Sequence, residues 1–177
     1  FQGTKTEQPP SWTTTQYTAL HKDPYVQELS HYRWLAKLNQ YRQWYGKTWR
    51  KNVATNHDTT TNTYGFNPRH SPHDVTGILR EALRTSTLWG YPIVIGVLDV
   101  LTAFDKMTHE MLDFANDKER VDINTRIATM NDYCNTWAQI QLNHAGLTQP
   151  FWFGKGGWQG GVRTPYEFNN TMRLMLG

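Results

Sequence analysis

The sequence predicts an α+β fold, with helices packed on a small, mostly antiparallel sheet, and three observations carry that prediction. Residues 92–98 form a short, almost wholly apolar run rich in Val and Ile, which reads as a strand buried on both faces and central to the sheet. Residues 137–153 alternate on either side of Asn143-His144-Ala145-Gly146, the pattern of a hairpin, with a helix continuing to His144 as the alternative. Between and around them lie several stretches with apolar residues at helical spacing.

At 177 residues the chain is long enough for one domain with a hydrophobic core. A formal net charge of +3 permits a nucleic-acid partner without demanding one. Aromatic residues make up 14% of the chain, with eight Trp, which suits packing and base stacking equally. The single Cys134 excludes a disulfide within the chain and falls at a helix-pattern position, as a small buried hydrophobe. An intracellular location, cytoplasmic or nuclear, follows as the default. No apolar run approaches the ~20 residues of a membrane span, so no membrane partner is expected.

In chain order, residues 1–3 (Phe-Gln-Gly) read as the remnant of an engineered protease site. Residues 4–24 are rich in Thr, Gln and Pro without an apolar period and read as an irregular arm. Over 25–51, Val26, Leu29, Tyr32, Leu35, Leu38 and Tyr41 recur at helical spacing, and Trp44, Tyr45 and Trp49 extend the apolar side. Arg33, Lys37, Arg42, Lys47, Arg50 and Lys51 are interleaved with them. They read either as a surface that follows a phosphate backbone or as the solvent face of an ordinary amphipathic helix. Residues 52–63 are polar and read as a loop.

Ser71, Pro72 and Asp74 together mark a helix start: an N-cap, a proline in the first turn and a capping-box acid. Val75, Ile78, Leu79, Ala82, Leu83 and Trp89 then share a face up to Gly90. The apolar run that follows ends at Asp99. A carboxylate at the mouth of a buried strand either caps the next turn or meets a cation, because it is costly to desolvate alone. Thr108 is placed to cap a further helix. Residues 116–122 read as a turn, and Ile123, Ile127, Met130 and Cys134 mark another helix. Glycine-rich residues 156–161 lead to a last helix entered through Thr164-Pro165. That helix is still under way at residue 177, so both ends of the chain read as the edges of a piece of a longer protein.

Three stretches resemble the signatures of reverse transcriptases, in the form found in non-LTR retrotransposons and group II introns. V-L-D-V-L-T-A-F-D-K-M-T-H at 97–109 resembles the first catalytic palm motif, D-x-x-x-A-F-D. Y-G-F-N-P-R-H-S-x-x-D at 64–74 resembles the signature that precedes it, with Asn67 and His70 where Arg is usual. Q-G-x-x-x-T-P-x-x-F-N at 159–169 resembles the third, with Thr164 for Ser and Trp158 in place of the usual Arg.

The resemblance implies a fingers-like helical region over 25–90 and a partial palm over 91–177. It implies an RNA-directed DNA polymerase, a nucleotidyltransferase working by two-metal chemistry, with RNA template, primer strand and deoxynucleoside triphosphates as partners. Asp99 would be catalytic and would ligate Mg²⁺ or Mn²⁺ together with the Val100 carbonyl. The amides of Thr102 and Ala103 would face the triphosphate, Phe104 would lie under the sugar and exclude a 2′-hydroxyl, and Gln159 and Gly160 would contact the nucleotide. Asn67, Arg69, His70, Gly161, Arg163 and Pro165 would follow the template, while Asp105 would hold the turn.

The later Y-x-D-D acids of the family have no counterpart, since no Asp-Asp pair occurs in these residues. The usual triphosphate-binding Arg is not recognisable either, Arg50 and Lys51 being the local candidates. The chain alone is therefore expected not to polymerise. The competing expectation is a degenerate, reverse-transcriptase-like RNA-binding or structural module without catalysis. An unfinished sheet edge would also invite self-association.

Overall fold

The computed structural model describes residues 9–23, 25–26, 28–54, 64–67, 70–142 and 146–176. Among them are six α-helices and a five-stranded, mostly antiparallel open sheet, which is the α+β class. No helix among the described residues is long and apolar enough to cross a membrane.

The first two strands of the sheet lie where composition hides them. Strand β1, Thr14–His21, lies in the stretch expected to be an irregular arm, and strand β2, Tyr32–Lys37, lies in the expected helix 25–51. They pair antiparallel, with Tyr17 opposite Ala36 and Ala19 opposite Trp34. In both strands alternate residues turn inward: Thr15 and Tyr17 on β1, Ala36 on β2. Tyr32, Trp34 and Ala36 satisfy a period of two as well as they share in a longer helical pattern, and strand pairing decided between them. The helix begins only at α1, Gln40–Ala54, where the Asn39 side chain accepts the Arg42 amide at 2.8 Å in the manner of an N-cap.

Helix α2, Pro72–Trp89, forms as its sequence predicts. The Asp74 carboxylate accepts the Ser71 amide at 2.7 Å, and Gly90 closes the helix in the left-handed conformation. Its apolar face, however, stays largely open: none of its residues is buried among the described residues. The following run is the principal correction. Residues 91–100 form neither strand nor helix, and Val94 and Leu98 are 96% and 91% exposed. An apolar, β-branched run has strand propensity, but a strand exists only where a neighbour offers its ladder. The sheet order is β2-β1-β3 with two short strands on the far side of β3, and this run is not in it. The central strand expected to end at Asp99 is therefore not formed.

A single helical turn, α3 (Ala103–Lys106), precedes α4 (His109–Lys118) and α5 (Ile123–Cys134). Thr108 Oγ1 accepts the Met111 amide, so that start is capped as read, and Asp122, expected only in a turn, caps α5 by accepting the Thr125 amide. Residues 116–118, expected in a turn, extend α4 by its last turn. Cys134 ends α5 exposed rather than buried. Strand β3, Trp137–Leu142, takes the hairpin reading over the helical one: it pairs antiparallel with β4, Gly146–Leu147, and β5, Phe151–Trp152. Its other edge runs parallel to β1, with Thr14 opposite Trp137 and Thr18 opposite Gln141. Helix α6, Thr164–Leu176, starts at Thr164-Pro165.

The core gathers Tyr17, Ala36, Met107, Leu112, Tyr133, Ala138 and Trp158, with a smaller cluster of Trp49, Val53 and Tyr166 beneath α1. A polar network lies between them. Arg42 donates from Nε and Nη2 to Asp132 Oδ1 at 3.0 and 2.7 Å, and to the hydroxyls of Thr15 and Thr136 at 2.7 and 2.8 Å. Its guanidinium lies 3.9 Å from the Trp158 ring centre. Arg163 reaches the other oxygen of Asp132 at 3.1 Å and pairs with Glu167 at 2.8 Å. That second approach is out of line for a hydrogen bond, so it acts as an ion pair alone. Burial pulls the Arg163 guanidinium down in pKa, but Glu167, Tyr133 and Asp132 outweigh it and hold it above its ordinary value. Burial and then Glu167 raise the Tyr133 phenol, which donates to Glu167 Oε2 at 2.5 Å. Two cations buried this deeply persist only because carboxylates and hydroxyls meet them in place.

Candidate functional site

An open cleft of about 890 Å³ lies where three segments meet: the end of the β1–β2 hairpin, the 99–105 turn and the glycine loop before α6. Such a volume suits a nucleotide-sized ligand. Asp99, Val100, Thr102, Ala103, Phe104, Gln159, Gly160, Gly161 and Pro165 all line it. Residues some sixty positions apart in sequence, selected on motif grounds alone, thus share one concavity.

Two backbone hydrogen bonds join these segments. The Gly156 amide donates to the Met107 carbonyl at 2.7 Å and the Gly157 amide to the Phe104 carbonyl at 2.8 Å. The approach needs glycine. A Cβ on Gly157 would lie 2.5 Å from Thr164 Cγ2 and 2.8 Å from Met107 Cε, and Gly156 has φ +95°. Gln159 Nε2 then donates to Asp105 Oδ1 at 3.3 Å. A carboxylate can only accept, so the amide nitrogen faces Asp105. This contact ties the Asp105 side chain to the glycine loop. Trp158 is a core residue that packs against both the Arg42 guanidinium and the Tyr133 ring, whose centre lies 4.5 Å from its own.

The 99–105 turn departs from regular backbone at Thr102, a β-branched residue at φ +51°, a conformation that costs free energy and needs support. Its carbonyl accepts the Asp105 and Lys106 amides at 2.9 and 3.2 Å, while the amides of Thr102 and Ala103 have no backbone acceptor among the described residues. Phe104 packs on Phe168 at 5.2 Å between ring centres and faces Phe66 at 6.4 Å, so its ring is a braced wall of the cleft. Trp158 Nε1 and Thr164 Oγ1 are buried without a hydrogen-bond partner among the described residues, leaving the cleft wall with polar groups to satisfy.

Asp99 is exposed, so the expected desolvation of its carboxylate at the mouth of a buried strand does not occur. No group of three His, Cys, Asp or Glu side chains among the described residues is arranged to hold a metal. Hard oxygen donors are nonetheless present, the Asp99 and Asp105 carboxylates and the Val100 carbonyl. All three residues line the cleft, and oxygen is the donor type that a divalent cation takes alongside phosphates and water.

The template candidates divide. Asn67 belongs to the turn before α2, where its side chain accepts from Asn169 Nδ2 at 3.4 Å and the Gly65 carbonyl accepts from the same nitrogen at 2.6 Å. His70 is exposed and meets the Tyr64 ring edge-on. Neither lines the cleft, and Arg69 lies outside the described residues. Arg163 is turned into the core, as is Arg42, so neither presents its charge to a phosphate backbone.

Sequence reasoning missed Lys22 and took Arg33 for a helix cation, yet both line the cleft from the β1–β2 hairpin. The signal, a faint one, was the period of two in Thr15, Tyr17 and Ala19. Arg50, a sequence candidate for the triphosphate, instead reaches the Phe66 carbonyl at 3.4 Å, and Lys51 lies on the outer face of α1. Compared with protein families and curated proteins, the chain matches no family model and no curated protein.

Proposed function

We propose that the cleft binds a deoxynucleoside triphosphate beside the end of an RNA-templated primer, within an RNA-directed DNA polymerase of the reverse-transcriptase type. The observation that supports this most is the meeting of the 99–105 turn and the 159–165 loop at one cleft that also carries two cations, Lys22 and Arg33.

A divalent cation, Mg²⁺ or Mn²⁺, would neutralise charge on the attacking and leaving oxygens. Asp99 and the Val100 carbonyl would hold it. Lys22 and Arg33 attract the polyphosphate from the hairpin side, Arg33 with a planar fork suited to two phosphate oxygens. The amides of Thr102 and Ala103 offer hydrogen bonds to the same anion from the opposite wall. Phe104, held by Phe168, would lie under the sugar and would select by steric exclusion of a 2′-hydroxyl. Gln159, with its nitrogen turned to Asp105, presents its carbonyl oxygen as an acceptor for a hydroxyl or amino group of the nucleotide.

Equilibrium titration of the chain with dTTP and Mg²⁺ tests the reading. Binding is expected, weakened at least tenfold by Arg33→Ala or Asp99→Ala, with UTP bound less well than dTTP. Primer extension by this chain alone is expected to give no product above background, because Asp99 is its one proposed metal-binding acid and no Asp-Asp pair accompanies it. Processive extension would mean that another acid, such as Asp105, takes that place. RNA affinity without any triphosphate affinity would replace the proposal with a non-catalytic RNA-binding module.

A further inference from the structure

Helix α1 has two faces of opposite character. Inward, Arg42, Gly46, Trp49 and Val53 are buried. Outward, Tyr41 and Trp44 are 75% and 69% exposed, and Lys47 and Lys51 follow them, also exposed. Spacings of three and four place these residues on a single stripe, about 15 Å from end to end at the helical rise. The helix contains no Asp or Glu. Neither outer ring packs on another aromatic ring among the described residues.

We infer that this stripe binds an unpaired nucleic-acid strand, with Tyr41 and Trp44 stacking on bases and Lys47 and Lys51 meeting phosphates. Two large rings one turn apart, both open to water and followed on the same stripe by cations, form a stacking surface beside positive charge. Cations interleaved at helical spacing, with no acid on the helix to neutralise them, select a polyanion with flat apolar faces, which an unpaired strand is. In a duplex the base faces are stacked inside, so the rings have nothing to meet. The stripe also has a direction. Gln43, next to Trp44, donates from Nε2 to the Gly160 carbonyl at 3.2 Å, so its first turn adjoins the cleft rim. The inference deepens the proposed function by giving the strand a path away from the cleft, and it rests on that reading only for this path.

The test is fluorescence anisotropy of the whole chain with labelled 12-mers of rU and dT and a 12-base-pair duplex, in a salt series. Both single strands should bind more tightly than the duplex. Tyr41→Ala with Trp44→Ala should weaken single-strand binding by on the order of tenfold or more. Lys47→Gln with Lys51→Gln should reduce the slope of log affinity against log salt by about 1.4. All four positions are exposed, so circular dichroism and dTTP binding should match the unaltered chain. Unchanged strand affinity in the aromatic variant, with dTTP still bound, overturns this inference and leaves the cleft reading standing. Equal affinity for duplex and single strand overturns it as well. Binding of neither dTTP nor oligonucleotide by the unaltered chain removes both.

Discussion

Two parts of this chain carry apolar residues at similar density and treat them in opposite ways. Around the α4–α6 packing and the sheet, Leu112 and Tyr133 are wholly buried and even the charges of Arg42, Asp132, Arg163 and Glu167 lie inside. In α2 and the run to residue 101, Ile78, Leu83, Leu88, Val94, Val97 and Leu98 all face water. Yet α2 has the clearest start and stop signals in the sequence. Caps and periodicity decide whether a helix forms, whereas burial depends on what lies against it. The polar network teaches the complement: a residue's chemistry does not decide its depth either, provided its partners are within reach.

The strongest way to break this contrast is at Asp132, which holds two guanidiniums inside. Asp132→Ala should cost about 3–5 kcal/mol, read from urea or thermal unfolding, and a loss below about 1 kcal/mol would mean that Arg42 and Arg163 find water instead. Next comes a matched pair of truncations. Leu112→Ala should cost about 2–5 kcal/mol, whereas Leu83→Ala, at a position 45% exposed, should stay within about 0.5 kcal/mol. A cost at Leu83 approaching that at Leu112 would show that the α2 face is covered in solution.

Gly157→Ala forces a methyl against Thr164 and Met107 and should cost about 1–3 kcal/mol while weakening dTTP binding, since it pries the glycine loop from the 99–105 turn. Stability lost without any change in dTTP affinity would separate the loop from the cleft. The smallest effect is a pH dependence within the packed part. Burial keeps the His109 imidazole below its ordinary pKa of 6.5. The unfolded chain therefore takes up a proton first as pH falls through about 6.5. The stability His109 contributes is present above that pH and is lost toward the lower folded-state pKa. Unfolding midpoints measured from pH 7.5 to 5.5 should fall less steeply in His109→Phe, and an identical slope would place the dependence elsewhere.

What could be read from sequence follows the same division. Ser71 with Asp74, Thr108 and Thr164-Pro165 each announce a helix through chemistry within four residues, and each helix is there. The motif residues of the cleft were legible for a similar reason, since both motifs are short and internally spaced. Strands β1 and β2 were not, because Thr15, Tyr17 and Ala19 offer little apolar contrast and β2 mimics a helical period. The run at 92–98 misled in the other direction: its composition asks for neighbours, and composition cannot supply them. Arg42 and Arg163 were read as surface cations because Asp132, the residue that makes their burial tolerable, lies ninety and thirty-one positions away. Lys22 and Arg33 reach the cleft only through the pairing of β1 with β2.

The parallel pairing of β1 with β3 also imposes a schedule on synthesis. The β1–β2 ribbon is made almost at once, but a two-stranded ribbon is marginal in water. The strand that completes its open edge is translated about 120 positions later, roughly 6–25 s at ordinary elongation rates. For that interval the backbone of β1 on that side has no partner of its own chain, and the nascent polypeptide depends on chaperones or on speed to keep a foreign strand from taking the place of β3.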